Sequence, residues 1–365
     1  MLMVIINILI FILILGFLIL VHEFAHFKIG RKVKARIDEF CIGFPPRIYK
    51  KKIKKTLYSI GAIPAGGFCK FYGEEDSSKK SKGAFFSLSV GKRFWIIIAG
   101  VLANLLIGLV FFSISFMIGY PQIIEGGTPA NVKEVAIHVW YVAKDSPADK
   151  AGFFVEDKIV SISEEKDIIF PKEVEDVQNF LSKNKGKEIV VMIQRGKKNI
   201  EKKVLVRENP PEYEGPTGVM LIKKGIISYS WYGAIGEAFK EAYKWTKGTF
   251  LGIGLVIKNA ITGKKTPGAE VSSIVGIGNI FNQFAAHGFV YIIYFAALLS
   301  WLLGIFNIIP IPALDGGRLL FLGIEKIKKR PVKHEFEEKA ILISFIMLII
   351  LVVLITIKDI KNIFF

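Results

Sequence analysis

The sequence lacks the features of several common classes of protein. Only two cysteines, Cys41 and Cys69, occur among 365 residues, which excludes a disulfide framework. Neither thiol has a partner at the spacing of a zinc site, so we expect both to be free. The first apolar run has no basic segment before it and no small-residue cleavage site after it. We therefore expect that run to be a retained helix rather than a secretory signal.

Acidic residues are scarce relative to basic ones, and the formal net charge is +17. Nucleic-acid-binding proteins have charges of this size, but here the distribution favours a membrane surface. Residues 28–93 contain seventeen Lys and Arg against five Asp and Glu, and they lie between two apolar segments. Basic loops beside spans are typical of the cytoplasmic face. We expect this region to face the cytoplasm and expect no nucleic acid as a partner.

Long apolar runs are abundant, and 52% of the residues are hydrophobic. Four segments have about the ~20 residues that cross a lipid bilayer: 1–21, 94–118, 289–309 and 340–357. Residues 230–261 mix aromatic and charged side chains, which favours a helix lying in the membrane interface. The alternative is a fifth span through residues 249–261. The pattern predicts an α-helical polytopic membrane protein with about four transmembrane helices.

The segment His22-Glu23-Phe24-Ala25-His26 reads H-E-x-x-H at the end of the first apolar run. On an α-helix the two histidines share a face and can bind one metal ion. Glu23 lies one position round, within reach of a water molecule on that ion. The alternative is the polar edge of a membrane anchor with solvated imidazoles. Because ionisable groups in a span are costly, the position favours a functional role.

A catalytic zinc ion usually has three protein ligands, so this motif needs a third. Position 32 is lysine, which excludes the extended pattern with a third histidine in that place. The remaining histidines are isolated in the sequence. We expect His138 and His334 to be surface residues rather than ligands, and we give no role to His287.

Asp315 is the best remaining candidate for the third ligand. It follows the helix-breaking Pro310 and Pro312, and it precedes Gly316-Gly317, which allow a turn to approach an ion closely. Alternation of the spans places Asp315 near the cytoplasmic side, at the depth of His26. The alternative is that Asp315 caps a helix starting near Arg318.

Three segments between the motifs are expected to have structural roles. Residues 57–71, with the pair Gly66-Gly67, predict a hairpin-like segment that dips into the membrane face; an ordinary cytoplasmic hairpin is equally compatible. A sheet edge there can pair with an extended peptide. Residues 74–93 are expected to form a mobile linker. Asn104 in the second span needs a polar partner, and we favour an interhelical contact over catalysis.

The composition becomes that of a soluble domain between about residues 126 and 224. Residues 159–163 and 188–194 alternate like strands, and residues 172–183 have a helical pattern. Topology places this domain outside. The predicted organisation is 1–125 with two spans and the hairpin, 126–225 as an α+β domain, 226–288 as an interfacial region, and 289–365 with two spans.

Together these motifs resemble the site-2 protease family of intramembrane zinc metalloproteases, most closely its bacterial members with an extracytoplasmic PDZ domain. The similarity includes H-E-x-x-H and the run from Asn307 to Gly317, which reads N-x-x-P-x-P-x-x-D-G-G. It implies Zn²⁺ bound by His22, His26 and Asp315, with Glu23 as general base. It also implies that Asn307 holds the substrate or polarises its carbonyl. Gly66 and Gly67 are expected to keep the substrate extended.

The resemblance also implies partners and a location. Substrates would be membrane proteins with a single transmembrane segment, such as anti-sigma factors or remnant signal peptides. The enzyme would lie in the inner (plasma) membrane, with its active site toward the cytoplasm. Residues 144–152 resemble a PDZ segment, and that domain would bind peptides or exclude large ectodomains. Glu156 stands where the family usually has glycine, and Val101 and Val275 where it often has proline.

Two alternatives differ from a protease in class. One is a catalytically silent membrane scaffold with a structural zinc site. The other is a transporter or channel, which would distribute polar groups through several spans. This chain instead concentrates them at two motifs, which favours the protease.

Overall fold

The computed structural model describes residues 2–74, 81–124, 132–165, 167–211, 214–262 and 272–364. These residues form nine α-helices: α1 (Leu2–Lys32), α2 (Val90–Ile118), α3 (Pro147–Lys150), α4 (Val174–Lys183), α5 (Trp231–Thr262), α6 (Ile274–Ala285), α7 (Phe289–Ile308), α8 (Asp315–Lys328) and α9 (His334–Phe364). The described strands are β1 (Ile37–Ile53), β2 (Thr56–Phe71), β3 (Tyr120–Ile123), β4 (Lys133–Val142), β5 (Lys158–Glu164), β6 (Asp167–Ile169), β7 (Glu188–Arg195), β8 (Lys198–Leu205) and β9 (Val219–Ile227).

Four helices, α1, α2, α7 and α9, are long and apolar enough to cross a membrane. This confirms the four predicted spans, although α1 continues beyond the apolar run to Lys32. The H-E-x-x-H motif therefore lies inside the helix and not at its end. Helix α5 is continuous over 32 residues and is not among these spans, so a fifth span is not supported in the described part of the chain. The helices and sheets fit a polytopic membrane protein with a β domain.

The chain divides into two compact units. The first comprises Met1–Phe111, Ala238–Gly278 and Ala296–Phe365; the second comprises Phe112–Glu237 and Asn279–Phe295. Each is described below by itself.

In the first unit, β1 and β2 form an antiparallel sheet whose register changes along its length. The connection between the strands lies at residues 54–55, and Gly66 and Gly67 lie within β2. The hairpin predicted within residues 57–71 is therefore wrong in its extent, because these residues belong to one strand, β2, of a longer hairpin formed with β1. The glycines are needed for close approach, because a Cβ on Gly66 would fall 2.7 Å from Cζ of Phe44.

An aromatic core holds this sheet against the helices of the first unit. The rings of Phe27 on α1 and Phe40 on β1 are 5.0 Å apart. The buried cluster consists of Phe27, Ile37, Phe40, Phe71, Phe85, Ile96, Ile97 and Leu322, contributed by α1, α2, α8, both strands and the short 3-10 helix Phe85–Ser87. Burial of these large side chains fixes the ends of β1 and β2 beside the H-E-x-x-H segment of α1.

The second unit contains a seven-stranded antiparallel sheet with the order β3-β9-β4-β5-β7-β8, and β6 pairs with β5. The strands predicted at residues 159–163 and 188–194 are confirmed as β5 and β7. The helix predicted over residues 172–183 is confirmed as α4, which places Val177, Phe180 and Leu181 in the core of the domain.

The second unit also corrects the expectation that His138 is a surface residue. His138 lies on β4, between β9 and β5, and is only 6% exposed. Burial, together with the positive charge of Lys224, lowers the pKa of His138 to about 3. The side chain of His287 is 3% exposed, and its Nε2 lies 3.4 Å from Oδ1 of Asp157. His334, on α9, is partly exposed and pairs with Glu338 at 3.2 Å.

Glu156 adopts a left-handed backbone with φ of 74°. Glycine takes this conformation without the steric penalty of a Cβ, which explains why glycine is usual at this position in the resembling family. The Glu156 side chain is 1% exposed and forms an ion pair with Lys224, which is 2% exposed. Here the glutamate carries backbone strain and also supplies the counter-charge of a buried lysine.

Candidate metal centre

Two histidines on one face of α1 form the first part of the site. His22 and His26 are one helical turn apart, and their Nε2 atoms lie 3.0 Å from each other. Both residues are buried, at 9% and 8% exposure. The spacing predicted from the sequence is therefore present in the structure.

Asp315, the first residue of α8, completes the group. Its Oδ2 lies 3.1 Å from Nε2 of His22 and 3.4 Å from Nε2 of His26. Within the described ranges, His22, His26 and Asp315 form the group of at least three candidate metal ligands whose ligand atoms all lie within 4.8 Å of one another. The carboxylate predicted from a distant motif thus meets both imidazoles.

The glycines after Asp315 make room for backbone packing, whereas the sequence predicts that they let a turn approach an ion. A Cβ on Gly316 would fall 2.5 Å from the carbonyl carbon of Ile308, and one on Gly317 would fall 2.6 Å from that of Ile311. The pair therefore allows α8 to pack on the backbone of the preceding proline-containing loop. Helix α8 begins at Asp315, with Leu314 at its N-cap position, so the alternative of a cap for a helix near residue 318 is not supported.

Hydrogen bonds to the other ring nitrogens orient the imidazoles. Nδ1 of His26 lies 2.7 Å from the carbonyl oxygen of Ile96. Because a carbonyl only accepts, Nδ1 of His26 carries the proton and donates it, which leaves a lone pair on Nε2. Nδ2 of Asn104 lies 3.3 Å from Nδ1 of His22, and Oδ1 of Asn104 has no partner among the described residues, so the opposite orientation of this amide satisfies more groups. With its oxygen turned toward Nδ1–H, this amide would fix His22 in the same tautomer.

The three groups fit a zinc ion. Two imidazole lone pairs and the buried, unpartnered Oδ2 of Asp315 converge within 3.0–3.4 Å, an arrangement that is repulsive without a cation between them. Ligands about 2.0–2.1 Å from a tetrahedral ion are about 3.3–3.4 Å apart, close to these separations.

Gly100, on α2, is a further residue of the site. A Cβ on Gly100 would fall 2.6 Å from Cε1 of His22 and 2.7 Å from Cε1 of His26. Gly100 and Asn104 are four residues apart on α2, so one face of this helix supplies both the space for the imidazoles and the polar partner of His22. The signal in the sequence for this face of α2 is a glycine four positions before an asparagine within an apolar segment.

The group opens into a cavity of about 930 Å³ that Glu23 and Cys69 line. Gly67 lies beside Glu23, the candidate general base: a Cβ on Gly67 would be 3.4 Å from Cγ of Glu23. Asn307 is in the last turn of α7, partly buried, and does not line this cavity as formed by the described residues. The cysteines are free, and neither joins the metal group found in the described residues.

Ion pairs that the sequence did not reveal also line the cavity. They are Arg93–Glu325, Arg318–Glu74 and Arg47–Glu39. Residues 75–80 of the predicted mobile linker lie outside the described residues. Its end is ordered, because α2 begins at Val90 and Arg93 is 5% exposed.

Known proteins resemble this chain over almost its whole length. The sequence model of Peptidase family M50 matches residues 10–351. A protein of Clostridium acetobutylicum named as a zinc metalloprotease is 32% identical over 97% of both chains. One of Agrobacterium fabrum with a similar name is 30% identical over 97% of this chain and 95% of its own. The zinc metalloprotease RasP of Geobacillus kaustophilus is 25% identical over 97% of both chains. The chain therefore belongs to peptidase family M50, the site-2 protease family of zinc metallopeptidases.

Proposed function

We propose that this zinc metallopeptidase cleaves peptide bonds of single-span membrane proteins within the bilayer, and that His22, His26 and Asp315 hold its zinc ion. The observation that carries the proposal is the convergence of three ligand atoms on two histidines within a helix that is long and apolar enough to span a membrane. Resemblance to the family extends the proposal to anti-sigma factors or remnant signal peptides as substrates.

In this proposal Glu23 is the general base and acid. A zinc ion held by His22, His26 and Asp315 would lower the pKa of a water molecule to about 7 and would polarise the scissile carbonyl. The Glu23 carboxylate would accept a proton from the attacking water and return it to the leaving amine. Ile96 and Asn104 keep the ligand nitrogens of His26 and His22 directed at the ion. Stabilisation of the oxyanion by Asn307 stays a prediction from the resemblance.

The end of β2 is the proposed binding site for an extended substrate. Residues 67–71 pair with β1 along one side in the observed register, and Gly67 lies beside Glu23. A helical substrate must unwind, because its peptide groups are hydrogen-bonded within the helix. A strand added to β2 would expose a peptide bond next to the base. Gly67 then keeps the substrate path open, whereas Gly66 accommodates the ring of Phe44.

The proposed orientation places the basic first sheet at the cytoplasmic face of the plasma membrane. Residues 40–73 contain no acidic residue, and the lysines of the turn between β1 and β2 are exposed. This matches the charge bias of cytoplasmic loops. The β domain would then be extracytoplasmic, where a PDZ-like domain can exclude large ectodomains or bind peptides.

Co-expression with candidate single-span proteins tests the activity. Glu23→Gln is expected to retain zinc and to lower cleavage at least about a hundredfold, because it removes the proton acceptor. Asp315→Asn is expected to lose both zinc and cleavage. Glu338→Gln, an exposed carboxylate on α9, is the matched control and should behave as wild type.

The outcomes separate the candidate functions. Equal behaviour of wild type and Glu23→Gln toward every substrate, with zinc bound to both, would support a catalytically silent scaffold. Zinc retained at full affinity in Asp315→Asn would refute the proposed ligand set. A transporter would show solute flux that Glu23→Gln leaves unchanged.

A further inference from the structure

Helix α8 carries Asp315 at its first position and is anchored near that end by an ion pair. Arg318, one turn along the helix, donates from Nη1 to Oε1 of Glu74. Glu74 follows β2, and its Oε2 accepts a hydrogen bond of 3.1 Å from the backbone N–H of Phe71. The first turn of α8 is thereby connected to the strand that lies beside the site.

A second ion pair anchors α8 near its other end. Arg93, in the first turn of α2, donates to both carboxylate oxygens of Glu325 at 2.9 and 2.6 Å. Nε of Arg93 also donates to the carbonyl oxygen of Leu88 at 3.2 Å. The fork geometry of guanidinium and carboxylate fixes direction as well as distance. This anchor connects α8 to the helix that carries Gly100 and Asn104.

Two anchors are needed because a metal ligand tolerates little movement. Glu325 is ten residues from Asp315, about 15 Å along the helix axis. A tilt of about 5° around a single anchor at Glu325 would move Asp315 by about 1.3 Å. Coordination distances vary by only about 0.2 Å, so one anchor leaves the carboxylate outside its range. Leu319 and Leu322 contribute apolar contacts that bury one face of α8, and such contacts are less directional than a guanidinium–carboxylate fork.

The burial of Arg93 indicates a positioning role. Arg93 is 5% exposed, and its partner's side chain is 17% exposed. A buried ion pair is often no more stable than an apolar pair of the same volume, so stability alone does not account for the Arg93–Glu325 pair. We propose that Arg93–Glu325 and Arg318–Glu74 form a two-point clamp that holds Asp315 at ligand distance from the imidazoles and thereby sets zinc affinity. This inference rests on the proposed ligand role of Asp315.

Zinc affinity of the purified full-length protein, measured by competition with a chromogenic chelator, tests the clamp. The double substitution Arg93→Met with Glu325→Leu removes the fork and leaves no buried charge unpaired, so the fold is expected to remain intact. Zinc should bind about 10–100-fold more weakly, as for loss of other groups that orient a ligand. The charge reversal Arg93→Glu with Glu325→Arg should restore most of the affinity. Arg207→Gln, in a partly buried ion pair of the β domain, is the control.

A double-mutant cycle separates positioning from general loosening of the protein. In an Asp315→Ala background the apolar replacement should have almost no further effect on zinc affinity, because the ligand that it positions is gone. An equal loss in both backgrounds, or unchanged affinity in the apolar variant, overturns the clamp. If Asp315→Ala itself leaves affinity unchanged, the proposed ligand set fails first and the clamp fails with it.

Discussion

Gly100 lies so close to His22 that a Cβ at this position would fall 2.6 Å from Cε1 of the imidazole. The contact is between two spanning helices, α2 and α1, and its geometry follows from the absence of a side chain. Gly100 therefore provides the space in which both imidazoles can turn toward Asp315.

The first prediction concerns this contact. Gly100→Ala is expected to displace the imidazoles and lower zinc affinity at least about tenfold, because ligand distances tolerate only about 0.2 Å. Zinc content after dialysis against a chelator measures the effect. Gly91→Ala, on the same helix, is the control, since a Cβ at Gly91 has no neighbour within 4 Å. Full zinc retention in Gly100→Ala would show that α1 and α2 can move apart without a loss of zinc affinity.

The second prediction concerns the asparagine that orients His22. Asn104→Leu removes the polar partner of Nδ1, so zinc affinity should fall about 10–100-fold. Ser300→Ala serves as the comparison, because Ser300 donates to the backbone oxygen of Asn104 at 2.7 Å and does not contact the imidazole. Ser300→Ala should keep its zinc. Equal losses in the two variants would mean that Asn104 acts only through helix packing.

The third prediction concerns the buried Glu156–Lys224 pair. Glu156→Gln leaves the ammonium buried without a counter-charge and is expected to destabilise the β domain by about 3–5 kcal/mol. Glu156→Gly with Lys224→Met should recover most of this loss, since glycine suits the left-handed backbone. Thermal unfolding followed by tryptophan fluorescence is a suitable measurement, because the Trp140 ring lies 5.2 Å from the lysine Nζ.

Glu164→Gln provides the control for the third prediction. Its partner Lys187 is 54% exposed, so loss of this pair should cost less than about 1 kcal/mol. A single Glu156→Gln variant that melts with the wild type would contradict a structural role for the buried pair.

The fourth prediction is a dependence of stability on pH. The pKa of His138 is about 3 in the folded protein and about 6.5 when unfolded, so below pH 6.5 the unfolded chain binds more protons. Stability should therefore fall as the pH drops from 6.5 toward 3, by about 1.4 kcal/mol per unit from this residue. The groups near His138 are Glu156, Lys224, Lys158 and His287.

His138→Phe is expected to remove this share of the slope while leaving stability near pH 7.5 similar. Unfolding midpoints of the zinc-free protein between pH 7.5 and 4 provide the measurement, since zinc loss at low pH would otherwise contribute. An unchanged slope in His138→Phe would assign the acid sensitivity to other groups.

Several parts of this protein could be predicted because they depend on spacing along the chain. The apolar lengths predicted the four spans, and the spacing of His22 and His26 predicted a shared helical face. Alternation predicted β5 and β7. These are consequences of helix and strand periods, which act over a few residues.

Other expectations failed where distant segments determine the environment. His138 has no sequence signal that separates a buried strand position from a surface one. The strand containing Gly66 and Gly67 is set by pairing with β1, which overrides the local preference of a glycine pair for a turn. The polar sequence before Arg93 predicts a mobile linker. The structure differs because Arg93 pairs with Glu325, which lies on another helix far along the chain and leaves no signal near Arg93.

The sequence by itself determined that four segments are long and apolar enough to span a membrane and that two motifs carry candidate metal ligands, because hydrophobic length and side-chain chemistry are local properties. Only the tertiary structure decided that Oδ2 of Asp315 lies 3.1 Å from Nε2 of His22. The same holds for the space at Gly100 and for the anchoring of α8. Each depends on helix packing and on ion pairs between residues remote in the chain, and such contacts have no period that a sequence pattern records.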